Sequence, residues 1–431
     1  MASTNELVKQ IEQGDWDAAL HRLYGADRLA QQRKRYCDAL HQFDLYYGAA
    51  GDVRVYSVPG RTELCGNNTD LQKGVALAAA VDRDILAVAA RRDRNIVRVK
   101  SYGFDKLDVV DLQLHTRQNE ENTHSASLIR GIGYEISQRG GEIGGFDAYI
   151  TSDVLRGSGL SSSAAFEVMM GTIWNDLYNN GRLSPLAVAQ AGQFAENKYF
   201  GKPCGLLDAL TCAVGGVICV DLKQEDNPSI QLLDHLQPPG DLVMCITDTR
   251  GSHSELTEEF SLVRTEMEDV ARAMGCENLR QASEADLWAD MPRLRALCGD
   301  RAVLRALHFY RETARSLRAC RALSTSDYSA FLQCIQNSGH SAFEYNQNAS
   351  CETGSQAIPV ALAVSQSILG SRGACRLQGT GFAGTIQAFV PLDLLAQYIQ
   401  RMELVFGTDC CHVMHVRRQG GIRLPMSAKS K

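Results

Sequence analysis

A run of glycines and serines is the first feature of the sequence that could do chemistry. Residues 156–165 read RGSGLSSSAA and lie between a predicted strand and a predicted helix. Gly/Ser clusters are usually flexible turns. Glycine also lets the backbone approach a ligand closely, and unpaired amide N–H groups at a helix start attract anions. Serine hydroxyls can donate to phosphate oxygens or ligate magnesium. The residue types alone leave both a turn and a phosphate cradle open.

Three common nucleotide-binding motifs are excluded. The P-loop string GxxxxGK[ST] does not occur. The dinucleotide fingerprint GxGxxG fails because Ser162 stands where its third glycine belongs. The protein-kinase strings HRD and DFG are also absent. A loop of the form GxGLSSSA between a strand and a helix remains.

Four segments, in the same order and at similar spacings, resemble motifs of galactokinases in the GHMP family of small-molecule kinases. The loop GSGLSSSA resembles the family's second motif. PGRTELCGNNTD (59–70) resembles PGRVNLIGEHTD, and AENKYFGKPCGLLD (195–208) resembles AEH…GxxCGIMD. GACRLQGTGFAG (373–384) resembles GARMTGAGFGG. The resemblance covers the chain from about residue 40 to the end and implies an ATP- and magnesium-dependent sugar 1-kinase.

The resemblance implies that the loop surrounds the ATP phosphates and that the following helix N-terminus faces them. Ser162 or Ser163 would ligate magnesium with Glu196, for which a solvated carboxylate on a helix face is the alternative. Arg156 differs from the residue that the family has at this position. Its side chain either contacts a phosphate or projects into solvent. The implied ATP-binding residues are Gly157, Ser158, Gly159, Leu160, Ser161, Ser162, Ser163 and Ala164.

Asp208 and Arg61 are the implied catalytic residues. Asp208 matches the aspartate that faces the anomeric hydroxyl, either as a base or as an orienting group, and Arg61 matches the arginine beside it. An adjacent arginine keeps a carboxylate ionised and offsets charge on the transferring phosphoryl group. A helix cap and a structural ion pair are the alternatives. In the fourth segment, Gly379, Gly381 and Gly384 read alone as a tight turn, and the resemblance implies that they support the nucleotide loop.

The implied sugar-binding residues are Asn67, Asn68, Asp70, Gly205 and Phe260. The family's Glu–His pair, which reads the sugar's 6-position, is replaced by the two asparagines. Phe260 replaces a sugar-contacting tyrosine in the segment 253–260, which resembles HSLxSSEY. Galactose is the first expectation. Galacturonate or another galacto- or arabino-configured sugar is the second, because the glutamate's negative charge is absent at position 67.

A non-catalytic sugar sensor on the same scaffold is the alternative from another functional class. Such sensors have lost residues from the GLSSSA loop. The segment 161–165 is complete here, and Arg61, Glu196 and Asp208 are present. The sequence therefore favours catalysis.

The sequence pattern predicts that helices and strands together position these residues, in an α+β chain. Apolar residues at helical spacing run through 5–47 with a break near Gly14, and 254–346 is mostly helical. Strands are predicted at 53–58, 84–90, 95–102, 145–152, 214–222 and 241–249, with a strand-like pair at 374–380 and 384–390. Other helices are predicted at 125–138, from the loop to about 179, at 185–200 and at 357–369.

The predicted division is a helical extension (1–35), an ATP-binding domain (36–238) and a C-terminal domain (239–431). A polar stretch ending in Pro238-Pro239-Gly240 marks the second boundary. The resemblance implies that the first domain is similar to the second domain of ribosomal protein S5 and that the second is ferredoxin-like, with the active site between them. It does not explain residues 1–35.

Composition bounds the partners. A net charge of −6 argues against nucleic acid, which needs a basic surface. No signal core or apolar run of roughly 20 residues occurs, so no membrane partner is expected. The expected partners are ATP and a small sugar, for a cytoplasmic monomer or homodimer.

Overall fold

Two β-sheets organise the chain, and the predicted mixture of helices and strands is confirmed. The computed structural model describes residues 2–48, 50–118, 121, 123–155, 157–233, 241–251, 257–350, 355–382 and 384–425. Within these residues, the larger sheet has eight strands and the smaller has four.

The larger sheet comprises β1 (Val53–Cys65), β2 (Val75–Arg91), β3 (Ile96–Ser101), β4 (Leu107–Asp111), β5 (Phe146–Ser152), β6 (Val217–Asp221), β7 (Ser229–Leu233) and β12 (Ile422–Leu424). Its main order is β12–β1–β2–β5–β3–β4. Strand β2 pairs with β5 along its second half and with β6 along its first half. Among the strand pairs of the described residues, only β3–β5 is parallel. The long β1–β2 pair therefore connects both ends of the sheet.

Helices cover both faces of this sheet. On one face lie α1 (Thr4–Gln13), α2 (Asp17–Tyr24) and α3 (Leu29–Tyr47), whose apolar residues pack against Val55, Leu86 and Val88. The other face carries α4 (Ser125–Gln138), α5 (Ser162–Asn179), α6 (Pro185–Ala195) and α7 (Leu207–Val214). Burial on both faces explains why β2 is almost continuously apolar instead of alternating.

A buried polar cluster ties the N-terminal helices to the sheet. Asp84 of β2 is fully buried and forms ion pairs with Arg35 of α3 and with Arg417. Tyr24 of α2 donates a hydrogen bond to the same carboxylate. Burial opposes ionisation, but the two arginines and the hydrogen bonds bring the pKa of Asp84 down to about 2. The segment that the resemblance leaves unexplained is thus part of the core.

The second half of the chain combines the smaller sheet with helices. The sheet is antiparallel, in the order β11–β8–β10–β9. Its strands are β8 (Leu242–Asp248), β9 (Ala374–Leu377), β10 (Thr385–Pro391) and β11 (Cys411–Met414). The helices are α8 (Thr257–Ala273), α9 (Glu284–Ala289), α10 (Met291–Cys298), α11 (Asp300–Ser324), α12 (Tyr328–Ser341), α13 (Ala357–Leu369) and α14 (Leu395–Phe406). A bilayer span would require a longer or more apolar helix than any in the described part of the chain.

The sequence predicted most of the long elements and missed short ones. β1 and β2 are much longer than the predicted strands, and β4, β7, β12, α7 and α14 were not predicted. The predicted boundary after residue 35 falls inside α3, and the one after residue 238 lies outside the described residues. The division into three parts remains a prediction.

Candidate active site

Arg61 and Asp208 form a two-point ion pair. Arg61 lies on β1 and Asp208 in the first turn of α7. Nε of Arg61 is 2.6 Å from Oδ1 of Asp208, and Nη2 is 2.5 Å from Oδ2. Arg61 also donates from Nη1 to the carbonyl oxygen of Gly159. The pair therefore connects the strand, the helix and the glycine–serine loop.

The surroundings of Asp208 keep its carboxylate ionised. Burial alone would raise the pKa of this carboxyl, but the Arg61 charge and hydrogen bonds from Arg61 and Ser161 lower it below its usual value. The side chain is still 36% exposed, whereas that of Arg61 is 7% exposed. The Asp208 carboxylate is thus partly accessible to solvent, whereas the guanidinium that pairs with it is buried.

The glycine–serine loop leads into the N-terminus of α5, which begins at Ser162. Ser161 adopts the left-handed conformation, with φ of 54°. Its hydroxyl donates to Asp208 and does not cap the helix. The first amide N–H groups of α5, at residues 162–164, are therefore available to an anion, and the helix dipole favours one there. This geometry suits a phosphate cradle better than a passive turn.

Two glycines permit the glycine–serine loop to touch the fourth segment, residues 373–384. A Cβ on Gly379 would lie 3.1 Å from the Cα of Gly159, and both residues have φ near +70°. Gln378 donates from Nε2 to the carbonyl oxygen of Gly159 at 3.0 Å. Thr385 donates from its hydroxyl to the carbonyl oxygen of Ser158 at 2.6 Å. Side chains larger than glycine would push the two loops apart.

The other two glycines of this segment hold it to its own half of the chain. A Cβ on Gly381 would lie 2.1 Å from the carbonyl oxygen of Asn348. The carbonyl oxygen of Gly384 accepts hydrogen bonds from the backbone and the hydroxyl of Thr249, at 2.8 and 2.7 Å. The fourth segment is thus fixed on one side and contacts the glycine–serine loop on the other.

Glu196 is buried at 5% exposure, which excludes the alternative of a solvated surface carboxylate. It begins a π-helical turn (Glu196–Phe200) after α6, and Lys202 Nζ lies 3.2 Å from its Oε1. Glu167 of α5 is also buried, and its Oε1 has no hydrogen-bond partner. Burial, and then the charge of Glu196, raise the pKa of Glu167 well above its usual range. Two neighbouring carboxyl groups with a free oxygen fit a hard divalent cation.

Asp70 and Gly205 are brought together. A Cβ on Gly205 would lie 2.0 Å from Oδ2 of Asp70, so only glycine leaves room for this carboxyl group. Burial, and then the charges of Asp208 and Glu63, raise the pKa of Asp70 to about 7. A carboxyl close to the Arg61–Asp208 pair is thus held in place by the segment that carries Asp208.

Asn67 lies inside the protein at 1% exposure. Its Nδ2 donates to the carbonyl oxygen of Gly379 at 2.8 Å, and its Oδ1 accepts from Asn348 Nδ2 at 2.8 Å. Its backbone carbonyl bonds to His308 Nε2 at 2.8 Å. Asn67 could reach a sugar only by giving up its side-chain bonds. The burial of Asn67 therefore does not support the predicted contact between its side chain and the 6-position of the sugar.

A buried carboxylate remains close to position 67. The signature PGRVNLIGEHTD has Asn and Glu where this chain has Glu63 and Asn67. Oε1 of Glu63 lies 3.4 Å from Asn67 Nδ2 and 2.6 Å from Arg376 Nη2. Compared with the signature, the carboxylate of this region stands at position 63 and not at position 67. The residue at position 67 alone therefore does not determine the charge of this region.

The other two predicted sugar-binding residues line the same region. Asn68 is partly exposed and has φ of 60°. Its Oδ1 accepts from Asn346 Nδ2 at 2.9 Å. Phe260 of α8 packs edge-on against Phe382, with ring centroids 5.4 Å apart. Phe382 donates its backbone N–H to the carbonyl oxygen of Asn348, which places the Phe260 ring near the asparagines.

Sequence reasoning missed several residues of this site. Glu167 had a usable signal, because it follows Ser163 by four residues and lies on the same face of α5. Lys202 lies within the quoted segment 195–208. Gln378 and Asn346 gave no local signal, since their contacts are with residues more than 200 positions away. Arg156 and residues 253–256 of the segment resembling HSLxSSEY lie outside the described residues.

Comparisons with known proteins show which family the chain resembles. The model of the GHMP kinases N terminal domain matches residues 127–216, and the galactokinase galactose-binding signature matches residues 41–91. The chain is 30% identical over 354 residues to a galactokinase of Glaesserella parasuis, covering 81% of this chain and 88% of that protein. It is 31% identical over 354 residues to a galactokinase of Streptomyces coelicolor, covering 80% and 86%.

Solved structures confirm the predicted fold. The crystal structure of Lactococcus lactis galactokinase complexed with galactose superposes with a TM-score of 0.78 at 22% identity, covering 89% of this chain and 98% of that one. A mevalonate kinase superposes with a TM-score of 0.57 at 14% identity, covering 84% and 99%. The fold is that of the GHMP kinases, with an added N-terminal helical segment.

Proposed function

The chain belongs to the galactokinase family of GHMP kinases, and we propose that it transfers the γ-phosphoryl group of ATP to the anomeric C1 hydroxyl of galactose. It is a sugar phosphotransferase that uses ATP with Mg²⁺. The observation that carries the proposal is the Arg61–Asp208 pair beside the glycine–serine loop. In this pair, a carboxylate that can accept a hydrogen bond from a hydroxyl and a positively charged guanidinium lie next to a loop that suits phosphate binding.

The arrangement divides the work of phosphoryl transfer among the chain's own residues. Asp208 accepts a hydrogen bond from the attacking hydroxyl and either takes its proton or orients it, since a loose transition state needs little proton removal. Arg61 keeps Asp208 ionised and offsets charge on the transferring group. The amides of residues 157–164 hold the ATP phosphates. Charge stabilisation and positioning are the main contributions.

The residues present fit magnesium. Glu196 and the hydroxyl of Ser162 or Ser163 would hold it, with the buried Glu167 beside Glu196. Magnesium, when bound, neutralises charge on the β- and γ-phosphate oxygens. The Glu196 carboxylate forms an ion pair with Lys202. Binding of the cation to Glu196 must therefore weaken or replace this ion pair.

Galactose is favoured over galacturonate as the sugar. The case for a uronic acid depended on the loss of negative charge at position 67. Glu63 lies 3.4 Å from Asn67, although Arg376 neutralises it, and Asp70 and Asp208 are nearby. Carboxylates close to the site oppose a second carboxylate on the sugar. The curated relatives are galactokinases, which supports the same choice.

A phosphorylation screen tests this proposal. Purified protein is incubated with ATP and galactose, galacturonate, arabinose, an amino sugar or glucose, with and without Mg²⁺, and the position of the new phosphate is determined by NMR. We expect ADP formation only with Mg²⁺, the highest kcat/KM with galactose, and phosphate on C1. Saturable galactose binding without turnover on any sugar would instead indicate a sensor, and phosphate on another carbon would contradict the proposal.

The Glu196→Gln variant should raise the magnesium concentration that gives half-maximal rate by roughly tenfold, equivalent to about 1.4 kcal/mol. The amide has the same shape but supplies a weaker, uncharged ligand. Lys202→Met is the matched control, because it also breaks the Lys202–Glu196 ion pair but keeps the carboxylate. If both variants shift the magnesium requirement equally, Glu196 acts through the ion pair and not as a ligand.

Sugar binding should depend on pH through Asp70. A pKa of about 7 means that the carboxyl is mostly protonated at pH 6 and mostly ionised at pH 8. The ionised form accepts hydrogen bonds from two hydroxyls, so galactose affinity, measured by calorimetry without ATP, should rise about tenfold over this interval. Asp70→Asn should bind weakly with a flat profile. Parallel profiles in the two proteins would remove Asp70 from the sugar site.

The remaining expectations concern partners and location, and we propose them on composition alone. A net charge of −6 disfavours nucleic acid as a partner. The cytoplasm is the location that we propose. A monomer or a homodimer is proposed, and light scattering would distinguish these two states.

A further inference from the structure

Lys202 is a charged residue of the candidate active site that has no role yet in phosphoryl transfer. Its Nζ lies 3.2 Å from Oε1 of the buried Glu196. Its positive charge also acts on the carboxyl groups of Glu167 and Asp208. Asp208 already has Arg61 as its ion-pair partner. Among the described residues, Lys202 is thus the cation that pairs with the proposed metal ligand Glu196.

The side chain of Lys202 can move while its backbone stays in place. The backbone N–H groups of Gly201 and Lys202 both donate to the carbonyl oxygen of Glu196, at 3.0 and 3.1 Å. The Lys202 side chain is 63% exposed, whereas that of Glu196 is 7% exposed. A lysine ammonium group sits on a flexible four-carbon stem, and an ion pair with an exposed partner contributes little to stability. The ammonium group can therefore leave Glu196 without a change in the path of the loop.

A single ammonium group does not satisfy the two neighbouring carboxyl groups. Glu167 is buried, and its Oε1 has no hydrogen-bond partner. Carboxylate oxygens from two side chains suit a hard divalent cation better than a monovalent one. In the metal-free protein, Lys202 therefore holds the Glu196 carboxylate as a weaker substitute for a divalent cation.

Lys202 needs a new partner once Glu196 binds magnesium, because the ammonium group then lies beside a like charge that repels it. Asp208 is not available, since Nε and Nη2 of Arg61 bond to its two oxygens. ATP brings phosphate oxygens to the same site, where the N-terminus of α5 favours them. These oxygens are the negative groups to which the ammonium group can turn.

We propose that Lys202 changes partners during the reaction: it holds Glu196 in the metal-free protein and contacts the transferring phosphoryl group after magnesium has bound. The inference rests on the proposed function and adds a catalytic residue to it. Lys202 stays an ammonium ion and donates N–H bonds to phosphate oxygens. Meanwhile the bond between the γ-phosphorus and the β–γ bridging oxygen breaks, and the bond from the sugar C1 oxygen to that phosphorus forms. The hydroxyl proton goes to Asp208 or to solvent, and ADP leaves with the bridging oxygen.

A binding experiment without turnover tests the change of partner. The affinity for AMP-PNP, whose γ-phosphoryl group is not transferred, is measured by calorimetry in wild-type protein and Lys202→Met, with Mg²⁺ and with EDTA. With Mg²⁺, the variant should bind about tenfold more weakly, because a charged donor to phosphate is lost. With EDTA, the loss should be less than about twofold, because Glu196 holds the ammonium group in the wild type. Equal losses in both conditions, or no loss in either, overturn the inference.

Manganese binding to the nucleotide-free protein should change in the opposite direction. Without the ammonium group, no cation of the chain competes for Glu196, so Lys202→Met should bind Mn²⁺ about fivefold more tightly than the wild type. Electron paramagnetic resonance of free Mn²⁺ measures this affinity. A lysine that only supports the fold of the site would, when removed, weaken Mn²⁺ binding. Unchanged or weaker binding in the variant therefore contradicts the proposal.

Lys198→Met is the matched control. Lys198 lies in the same π-helical turn as Glu196, is exposed and forms no ion pair with another described residue. Its substitution removes the same charge and should change both affinities and kcat by less than about twofold. In Lys202→Met, kcat should fall by at least about tenfold with little change in the KM for galactose. If the wild type phosphorylates no sugar, the proposed function fails, and the AMP-PNP and Mn²⁺ affinities still decide whether Lys202 changes partners.

Discussion

Asp208→Asn is expected to lower kcat by about 10³-fold, within the range of 10²–10⁴ that a positioned base contributes. The carboxamide keeps the shape of the side chain but cannot take a proton and does not offset the Arg61 charge. The KM for ATP should change little, because the amides of residues 157–164 are untouched. The measurement is steady-state kinetics with both substrates varied, together with the melting temperature.

Asp221→Asn is the matched control for this prediction. Asp221 also pairs with an arginine, since its Oδ2 lies 2.7 Å from Arg280 Nη2, but it makes no contact with Arg61 or the glycine–serine loop. Its substitution should cost less than about 1 kcal/mol and leave kcat unchanged. Wild-type turnover in Asp208→Asn, or an equal loss in both variants, would remove Asp208 from the catalytic assignment.

The sequence predicted the parts of the site that are local. The loop 157–164 could be interpreted because glycine, serine and a following helix are neighbours along the chain. Arg61 and Asp208 are 147 positions apart, and only the resemblance connected them before the structure showed their ion pair. α7 was missed because a helix of eight residues gives little periodicity.

Contacts between the two halves of the chain could not be predicted. Asn67 and Asn68 are identical neighbours in sequence, yet one is enclosed and the other is partly exposed. Asn67 is enclosed because Gly379 and Asn348, from the second half of the chain, bond to both ends of its side-chain amide. Burial of a polar residue depends on partners that are distant in sequence, and pattern reasoning has no access to them.

The N-terminal helices show the same limit on a larger scale. Their apolar spacing predicted helices, and they form at nearly the expected positions. The spacing did not indicate what they cover. The almost continuously apolar β2 requires cover on both faces, and the helices that bury its second face lie more than 25 residues before it. The extension is therefore part of the domain core and not an appendage.

Gly205→Ala should raise the KM for galactose by about 10- to 100-fold. The new Cβ would lie 2.0 Å from Oδ2 and 2.7 Å from Cγ of Asp70, so the carboxyl group must turn away from its position. Losing hydrogen bonds from sugar hydroxyls to a charged acceptor costs about 1.5–3 kcal/mol, which gives this range. ATP affinity should change by less than about twofold. Kinetics with galactose varied at saturating ATP measure the effect.

The coupling between Gly205 and Asp70 makes that prediction decisive. Once Asp70 is shortened to alanine, the Cβ at position 205 has nothing left to displace. Gly205→Ala should then change the KM for galactose by less than about twofold in the Asp70→Ala background, although it changes it strongly in the wild type. Gly51→Ala is the control, since a Cβ there meets no atom within 4 Å and its φ is not positive. Equal effects in both backgrounds would mean that Gly205 acts through the backbone of the segment carrying Asp208. The sugar site would then depend on the path of residues 201–208 and not on the Asp70 carboxyl.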